Sequence, residues 1–443
     1  MKQYKILLLL LVYFFISVKF LFAGIIWNKD FSASKIAVDL SDNIYAISRT
    51  NKYEAFLTKL NKNGVEQWKC FLTSNYRMDN FDIDVDDDGN LYLTGIFDND
   101  ISLQTADGNW QPIVTGIRNY EDIFIVKYSP QGQLIWKKVI LSKGNLVSVS
   151  IESDYFYLAG NYEDSIRFYD VISQEQFEEK AYLPGENDLF FCKYNLDGEL
   201  KWAKSVQGNR FETVNIFAIK NNENIEHFVL AAAYLDSATI DISDGDHFLN
   251  GEGIFVAIGR NDGILKVHDI KGSCNIKDVL QINEDIFITG TFRNTIDFYS
   301  DDEKIKSLYP STQDFFIACY RKRIDFSWAR KGGGSNYDYG FALTKNSNGY
   351  VLLSGNIGDS GAAFFDNDNQ INGPIGGFIS EYNIDGSMVK LWKSEHIDSF
   401  NNDIFMNQSG HLILSNWKGK LCKMNIQPLS LQNVLEIMKY LAD

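Results

Sequence analysis

The stretch DIFIVKYSPQGQLIWKK, residues 122–138, decides how the chain is read. An acid opens it, apolar and polar residues alternate, and a Trp falls 14 residues after the acid. Alternation of period two marks strands, and the polar Ser-Pro-Gln-Gly break between them marks a tight turn. The same arrangement returns as EAFLTKLNKNGVEQWKC (54–70), DLFFCKYNLDGELKWAK (188–204) and DFFIACYRKRIDFSWAR (314–330). Two looser copies are GIFVAIGRNDGILKV (253–267), with Val267 in place of the Trp, and GGFISEYNIDGSMVKLW (376–392), with two extra residues before Trp392. Trp68, Trp136, Trp202, Val267, Trp328 and Trp392 follow one another at intervals of 61 to 68 residues. A recurrence at such a period signifies one supersecondary unit repeated many times.

A second pattern precedes each copy: two apolar runs around a polar turn. Examples are KIAVDLSDNIYAIS, FDIDVDDDGNLYLTG, FALTKNSNGYVLLSG and DIFMNQSGHLILSN. Seven such hairpins are found, so each unit has four strands, here called A to D in chain order. Four-stranded units repeated radially make a β-propeller, in which only short, protected edges remain. The last unit has no D strand of its own after GKLCKMN (419–425), but GIIWNKDF (24–31) is similar to GELKWAKSV (198–206). The expectation is an all-β, seven-bladed β-propeller over 24–428, its last blade completed by the N-terminal strand and Trp27. Because the tryptophans recur once per unit, they are expected to pack unit against unit. Only a propeller, and not an open solenoid, needs that permuted strand.

At this point the chain resembles a family. The pattern G-x-F…I-x-F…D-x-F-x-x-K-Y-x-x-x-G-x-L-x-W looks like the SBBP-type β-propeller repeats of exported bacterial proteins, most clearly in GTFRNTIDFYSDDEKIKSLYPSTQDFFIACY (290–320) and GGGSNYDYGFALTKNSNGYVLLSG (332–355). The G-x-L-x-W ending is also similar to pyrroloquinoline-quinone-type propeller repeats. The resemblance spans roughly residues 24–425. It implies an architecture and no common activity.

Residues 1–23, MKQYKILLLLLVYFFISVKFLFA, have Lys2 and Lys5 before an apolar run and Ala23 at a site for cleavage, the layout of an export signal. Lys19 and Leu21 depart from that layout, and an uncleaved anchor is the alternative. No later segment is apolar enough to span a membrane. The formal charge is −16, and since 1–23 holds three lysines and no acid, the mature chain is near −19. That excludes nucleic acid and anionic lipid as partners, which require a basic face. Five Cys in an exported chain are few and odd in number, and are expected as small buried apolar residues. The tail PLSLQNVLEIMKYLAD (428–443) has apolar residues at helical spacing, so a C-terminal helix over 429–443 is expected.

Chemistry is less legible. Asp84, Asp86, Asp88 and Gly89 read D-x-D-x-D-G, which is how a calcium loop begins. The bidentate Glu of a helical calcium loop is missing, since Gly95 holds that place. Two readings remain: weak calcium held by Asp84, Asp86 and Asp88, or a solvated acidic hairpin turn. The five histidines lack metal-ligand spacing. KGGGSNYDYG (331–340) has no following helix or G-K-[ST] and reads as a D–A loop, not a phosphate cradle. The B–C connections are long in the second to sixth units, with alternating cores such as SIRFY and TIDFY that predict an extra hairpin. They either form a rim with a low gap at the first and last units, where a partner docks, or simply widen the blades. Trp110, Tyr120, Tyr182, Tyr309, Tyr337 and Tyr339 are the candidate contact residues on that rim. The expected function is a monomeric, exported, non-catalytic binding or scaffold module for an envelope or extracellular protein or a glycan, without a cofactor. A polysaccharide-acting enzyme, with carboxylates converging from two blades, is the second reading.

Overall fold

In the computed structural model, residues 24–425 are described except for 115–120, 145–146, 153, 174–175, 185–187, 209–210, 221–225, 243–244, 261–262, 301–302, 322–324, 359–361, 366–368, 373–375, 394–402 and 417–419. The leader 1–23, Tyr120 and the tail 426–443 therefore lie outside the described residues. Every regular element described is a strand.

The strands form antiparallel meanders of four, as the alternation demands. In the first unit Lys35–Val38, Ile44–Asn51, Glu54–Leu60 and Glu66–Thr73 pair in that order. The second repeats it with Met78–Val85, Leu91–Asp98, Glu121–Tyr128 and Leu134–Leu141. At the end of the chain, Asp403–Met406, Leu412–Asn416 and Lys420–Asn425 make three strands, and Gly24–Lys29 is the fourth, with Gly24 opposite Asn425. The expected completion of the last unit by the N-terminal strand is thus present. The protein is a propeller-type repeat fold.

The A strands lie side by side, and at several junctions a side chain of one bonds the backbone of its neighbour. Val149 N donates to Asp82 Oδ2 (2.9 Å), Ile216 N to Ser148 Oγ (3.4 Å), Leu343 N to Asp278 Oδ2 (2.7 Å), and Ile36 N to Asp403 Oδ2 (2.9 Å). The last of these joins the final unit to the first. These acceptors replace the sheet ladder that an A strand lacks on its inner side.

Unit is joined to unit on the outside by a repeated latch. Trp68 Nε1 donates to Pro130 O (3.0 Å), Trp136 Nε1 to Leu196 O (3.3 Å), Trp328 Nε1 to Ile384 O (2.9 Å) and Trp27 Nε1 to Lys62 O (3.4 Å). Each carbonyl belongs to the C–D turn of the following unit. A C-strand lysine reaches the same oxygen: Lys59 to Pro130, Lys127 to Leu196, Lys423 to Lys62. The indole lies flat on the turn glycine. A Cβ on Gly64 would meet Trp27 at 2.8 Å, and one on Gly386 would meet Trp328 at 2.6 Å. Both glycines also have positive φ, +77° and +83°, so the repeat's Gly is required twice over.

Two units depart from the expected pattern. In strand Gly263–Lys271 the register is displaced by one, so Lys266 rather than Val267 stands where the Trp stands elsewhere, opposite Ile258. Val267 pairs with Ala257 and packs against the buried cluster that it shares with the preceding unit. Near the chain's end Lys390 takes the Trp place opposite Glu381 (ion pair 3.7 Å), while Trp392 packs two residues further on with Ile404 and Leu414.

The leading acid of the motif also has a task. Asp122 accepts Ser142 N and Asp188 accepts Gly208 N, both at 3.1 Å, tying the start of strand C to the end of strand D. All five cysteines are free; Cys70, Cys192, Cys319 and Cys422 are buried and Cys274 half-buried. They serve as small apolar residues, as expected.

The B–C excursions do hold hairpins, but these do not form a rim. The hairpin Asp100–Gln104/Trp110–Val114 leaves the second unit and pairs through Leu103 and Ser102 with Leu72 and Thr73 of the first unit's D strand. Ser165–Ser173 pairs in the same way with Leu134–Leu141, and Ala362–Phe365 with Asp325–Gly333. Each widens the preceding unit. A docking gap framed by tall loops is therefore replaced by a widened outer wall.

Replacing Trp68 with Ala should cost about 3–5 kcal/mol, because a buried indole, its hydrogen bond and the floor of the neighbouring turn are lost together. Gly132→Ala, on the other side of the same contact, should cost at least ~1 kcal/mol from its positive φ alone. Chemical denaturation of both variants against wild type checks this.

Candidate functional site

The acidic turn at 84–88 is a structural device. Asp84 Oδ2 accepts Ile151 N (2.8 Å) from the next unit's A strand. Asp86 is buried; it accepts Asn90 N (2.8 Å) and the Tyr92 hydroxyl (3.3 Å) and pairs with Lys127 (3.3 Å). Asp88 is exposed. The three carboxylates thus serve three separate ends. Among the described residues no group of three or more His, Cys, Asp or Glu side chains is arranged to hold a metal. The alternative of a solvated turn also needs correction, because Asp86 is drawn inward by Lys127. Asp39 repeats the role in the first unit, accepting Asn43 N (2.9 Å) and lying 3.8 Å from Lys59.

The A strands gather charge at their common axis. Lys35 Nζ lies 3.3 Å from Asp82 Oδ1. Asp82, Asp403 and Asp278 together hold the Lys35 ammonium well above the usual lysine range, with Asp82 the largest contributor and burial opposing. Burial pushes Asp84 and Asp278 up to about 7 and Asp403 to about 6, although each accepts backbone N–H donors that oppose the rise. A carboxyl whose folded pKa is raised favours the fold when protonated. Its contribution is complete below the unfolded value of about 4 and is lost as pH rises through 6 to 7.

Two regions of the face that carries the D–A loops hold polar and aromatic side chains. One lies where Arg293, Gln313 and the loop after Gly333 meet. Arg293 Nε donates to Gln313 Oε1 (2.7 Å), Thr312 Oγ1 donates to Asn336 O (2.6 Å), and Asp338 N donates to Gln313 O (2.8 Å). These bonds fix Tyr337, which is 56% exposed and lies with its ring 5.8 Å from the Arg293 guanidinium. Tyr309, 66% exposed, stands at the end of the adjoining excursion. Tyr339 is half-buried and stacked on Phe341 at 5.4 Å, a packing role. The run Gly332–Gly333 ends a D strand against Phe315 and Asp314, where no Cβ fits, so KGGGSNYDYG is the D–A loop expected. A depression of about 210 Å³ lined by Asn275, Thr291 and Arg293 adjoins the patch.

The other region lies between the second and third units. Arg77 donates to Glu121 Oε1 (2.6 Å) and pairs with Asp79 (3.2 Å), and Lys143 pairs with Glu163 (2.7 Å). Glu121, Asp98 and Glu163 line one depression, so carboxylates from two units do converge here. Burial raises Glu121 against the lowering effect of Arg77. None of these charges was singled out by the sequence, because among 58 acids no spacing distinguishes them.

The remaining candidates are dispersed. Trp110, 45% exposed, sits beside the tip of a hairpin whose Ala106 N bonds Gly132 O, low on the outer wall and away from the loop face. Tyr182 lies opposite Arg167 in the hairpin strand Gln176–Pro184.

No family model matches the chain. Over 243 residues, 51% of its length, it is 25% identical to an uncharacterized WD repeat-containing protein of Acanthamoeba polyphaga mimivirus, of which it spans only 17%. Among solved structures it is similar to a streptogramin B lyase (11% identity, 90% of this chain and 97% of that one, TM-score 0.40) and to the WD40 β-propeller domain of Doa1 (11%, 80% and 96%, TM-score 0.30). Such identities say nothing of activity.

Two outcomes are expected. Between pH 5 and pH 8 the melting temperature should fall, and Asp278→Asn with Asp403→Asn should flatten that slope, as read by calorimetry. The melting temperature should be the same in millimolar calcium and in chelator, since Asp84 and Asp86 are already engaged.

Proposed function

We propose that the chain is a seven-bladed β-propeller, exported by its leader, that works as a non-catalytic scaffold binding a protein of the cell envelope or extracellular medium. The seven blades rest on the seven sequence hairpins together with the A-strand bonds that run from unit to unit and return from Asp403 to Ile36. Export rests on residues 1–23, and the finer likeness to SBBP-type repeats rests on the motif alone.

The single observation that carries the binding role is the pair Tyr309 and Tyr337. Both are large and exposed, Tyr309 lies four residues before Gln313, which bridges to Tyr337, and Tyr337 is held by bonded Gln313 and Arg293. Aromatic and Arg side chains held rigid before contact are the groups that anchor protein interfaces, because little rotamer entropy is lost on binding. A monomer with strong negative charge suits a partner carrying a basic rim around an apolar centre.

The test is a pull-down from envelope extract and culture medium with tagged protein, comparing wild type with Tyr309→Ala/Tyr337→Ala. One protein retained by wild type and reduced about tenfold or more by the double variant, with unchanged melting, is the expected result. Equal retention by both would remove the patch from the reading.

A further inference from the structure

The region between the second and third units is a trough. Depressions of about 280 Å³ and 420 Å³ share Lys143 and Glu163, so they run on as one. Its walls are fixed by backbone bonds: Asp98 N donates to Arg77 O (3.0 Å) and Glu163 N to Lys143 O (3.1 Å). Gly144 is pressed so closely on Asn161 O that no side chain would fit. The trough is therefore preformed, and a ligand entering it meets little ordering cost.

Its chemistry restricts the ligand. Cations and carboxylates alternate along it as two forks, Arg77 with Glu121 and Lys143 with Glu163, and Arg167 and Asp164 stand at the far end. Carboxylates outnumber cations in the lining, so a polyanion finds no attracting field. A small cation would compete with ammonium and guanidinium groups already in place. Leu141 and the half-buried ring of Tyr169 are the apolar side chains of the lining, but they stand among the charged ends of Lys143, Glu163, Asp164 and Arg167, which an apolar ligand would strip of water without pairing. What remains is a neutral molecule rich in groups that both donate and accept. Vicinal hydroxyls do both, and a cation–carboxylate fork offers them a donor and an acceptor side by side.

We propose that this trough binds a neutral oligosaccharide, whose successive residues are held by the Arg77–Glu121 and Lys143–Glu163 forks, with Tyr169 against a sugar's C–H face. The site is separate from the Tyr309–Tyr337 patch and independent of the protein partner proposed there.

The experiment is calorimetric titration of the full-length protein with laminarihexaose, cellohexaose, maltohexaose and chitohexaose. At least one should bind, with an affinity that changes little from low to high salt, as a neutral ligand requires. Lys143→Met/Glu163→Gln should weaken it about tenfold, the loss of one fork, while Tyr309→Ala/Tyr337→Ala should leave it unchanged. In the unaltered protein, the bound sugar should slow amide exchange at 141–144 and 161–165, a readout that does not depend on a variant folding. Binding of none of the four, unchanged binding in the fork variant, or exchange protection confined to other segments would overturn the proposal.

Discussion

One contact recurs around the molecule and the rest depends on it: an indole lying on a turn glycine, its N–H on the next turn carbonyl. Trp68 on Gly132 with Pro130, and Trp328 on Gly386 with Ile384, are two instances. A twisted four-stranded sheet cannot bury both faces by itself. The latch sets the angle at which each sheet leans on its neighbour, and the Phe and Tyr side chains of the B and C strands fill what that angle leaves. Lys59 and Lys127 add a charge to the same carbonyls, and Asp39 and Asp86 accompany those ammonium groups where they leave water. The Asp of strand A's end, the Tyr of strand B, the Lys of strand C and the Trp of strand D are thus one assembly distributed over a unit's length.

This explains why the repeat was legible and where legibility ended. Trp and Gly recur because one contact needs both, and Lys59, Lys127 and Lys423 recur because they join it on the same carbonyls. The completion of the last unit by Gly24–Lys29 was readable because Trp27 belongs to that contact. Val267 misled because the displaced register of its hairpin leaves no mark in residue spacing; only the pairing with Ala257 reveals it. The excursions were recognised as hairpins from their alternation, yet their destination depended on pairing with another unit, which local pattern does not encode. The Asp84–Asp86–Asp88 run looked like a metal loop because sequence displays carboxylates but not the Lys127 and Ile151 N that engage them.

The loop-face candidates show the same limit more severely. Tyr309 and Tyr337 stood out as aromatics in loops, and both are exposed. The forks of Arg77 with Glu121 and Lys143 with Glu163 join residues 44 and 20 positions apart through backbone bonds between loops. Charged residues are frequent on any surface, so only spatial convergence makes a site of them.

The outer hairpins have a consequence for solubility and for assembly. A D strand at a blade's perimeter is an open ladder, the feature through which β-proteins aggregate. Here the loop-side end of strands such as Leu134–Leu141 and Asp325–Gly333 is occupied by a hairpin lent from the following unit, like overlapping roof tiles. Overlap gives the array a direction: a unit's edge is covered only after its successor has been made. The strand Gly24–Lys29 is the extreme case. It is the first strand described and its neighbour Lys420–Asn425 is the last, so it must stay unpaired until the strands between them have been synthesised. Pairing of those two segments joins the first and last strands described, and a contact between segments so far apart carries a loop-closure cost that no neighbouring strand offsets until it forms.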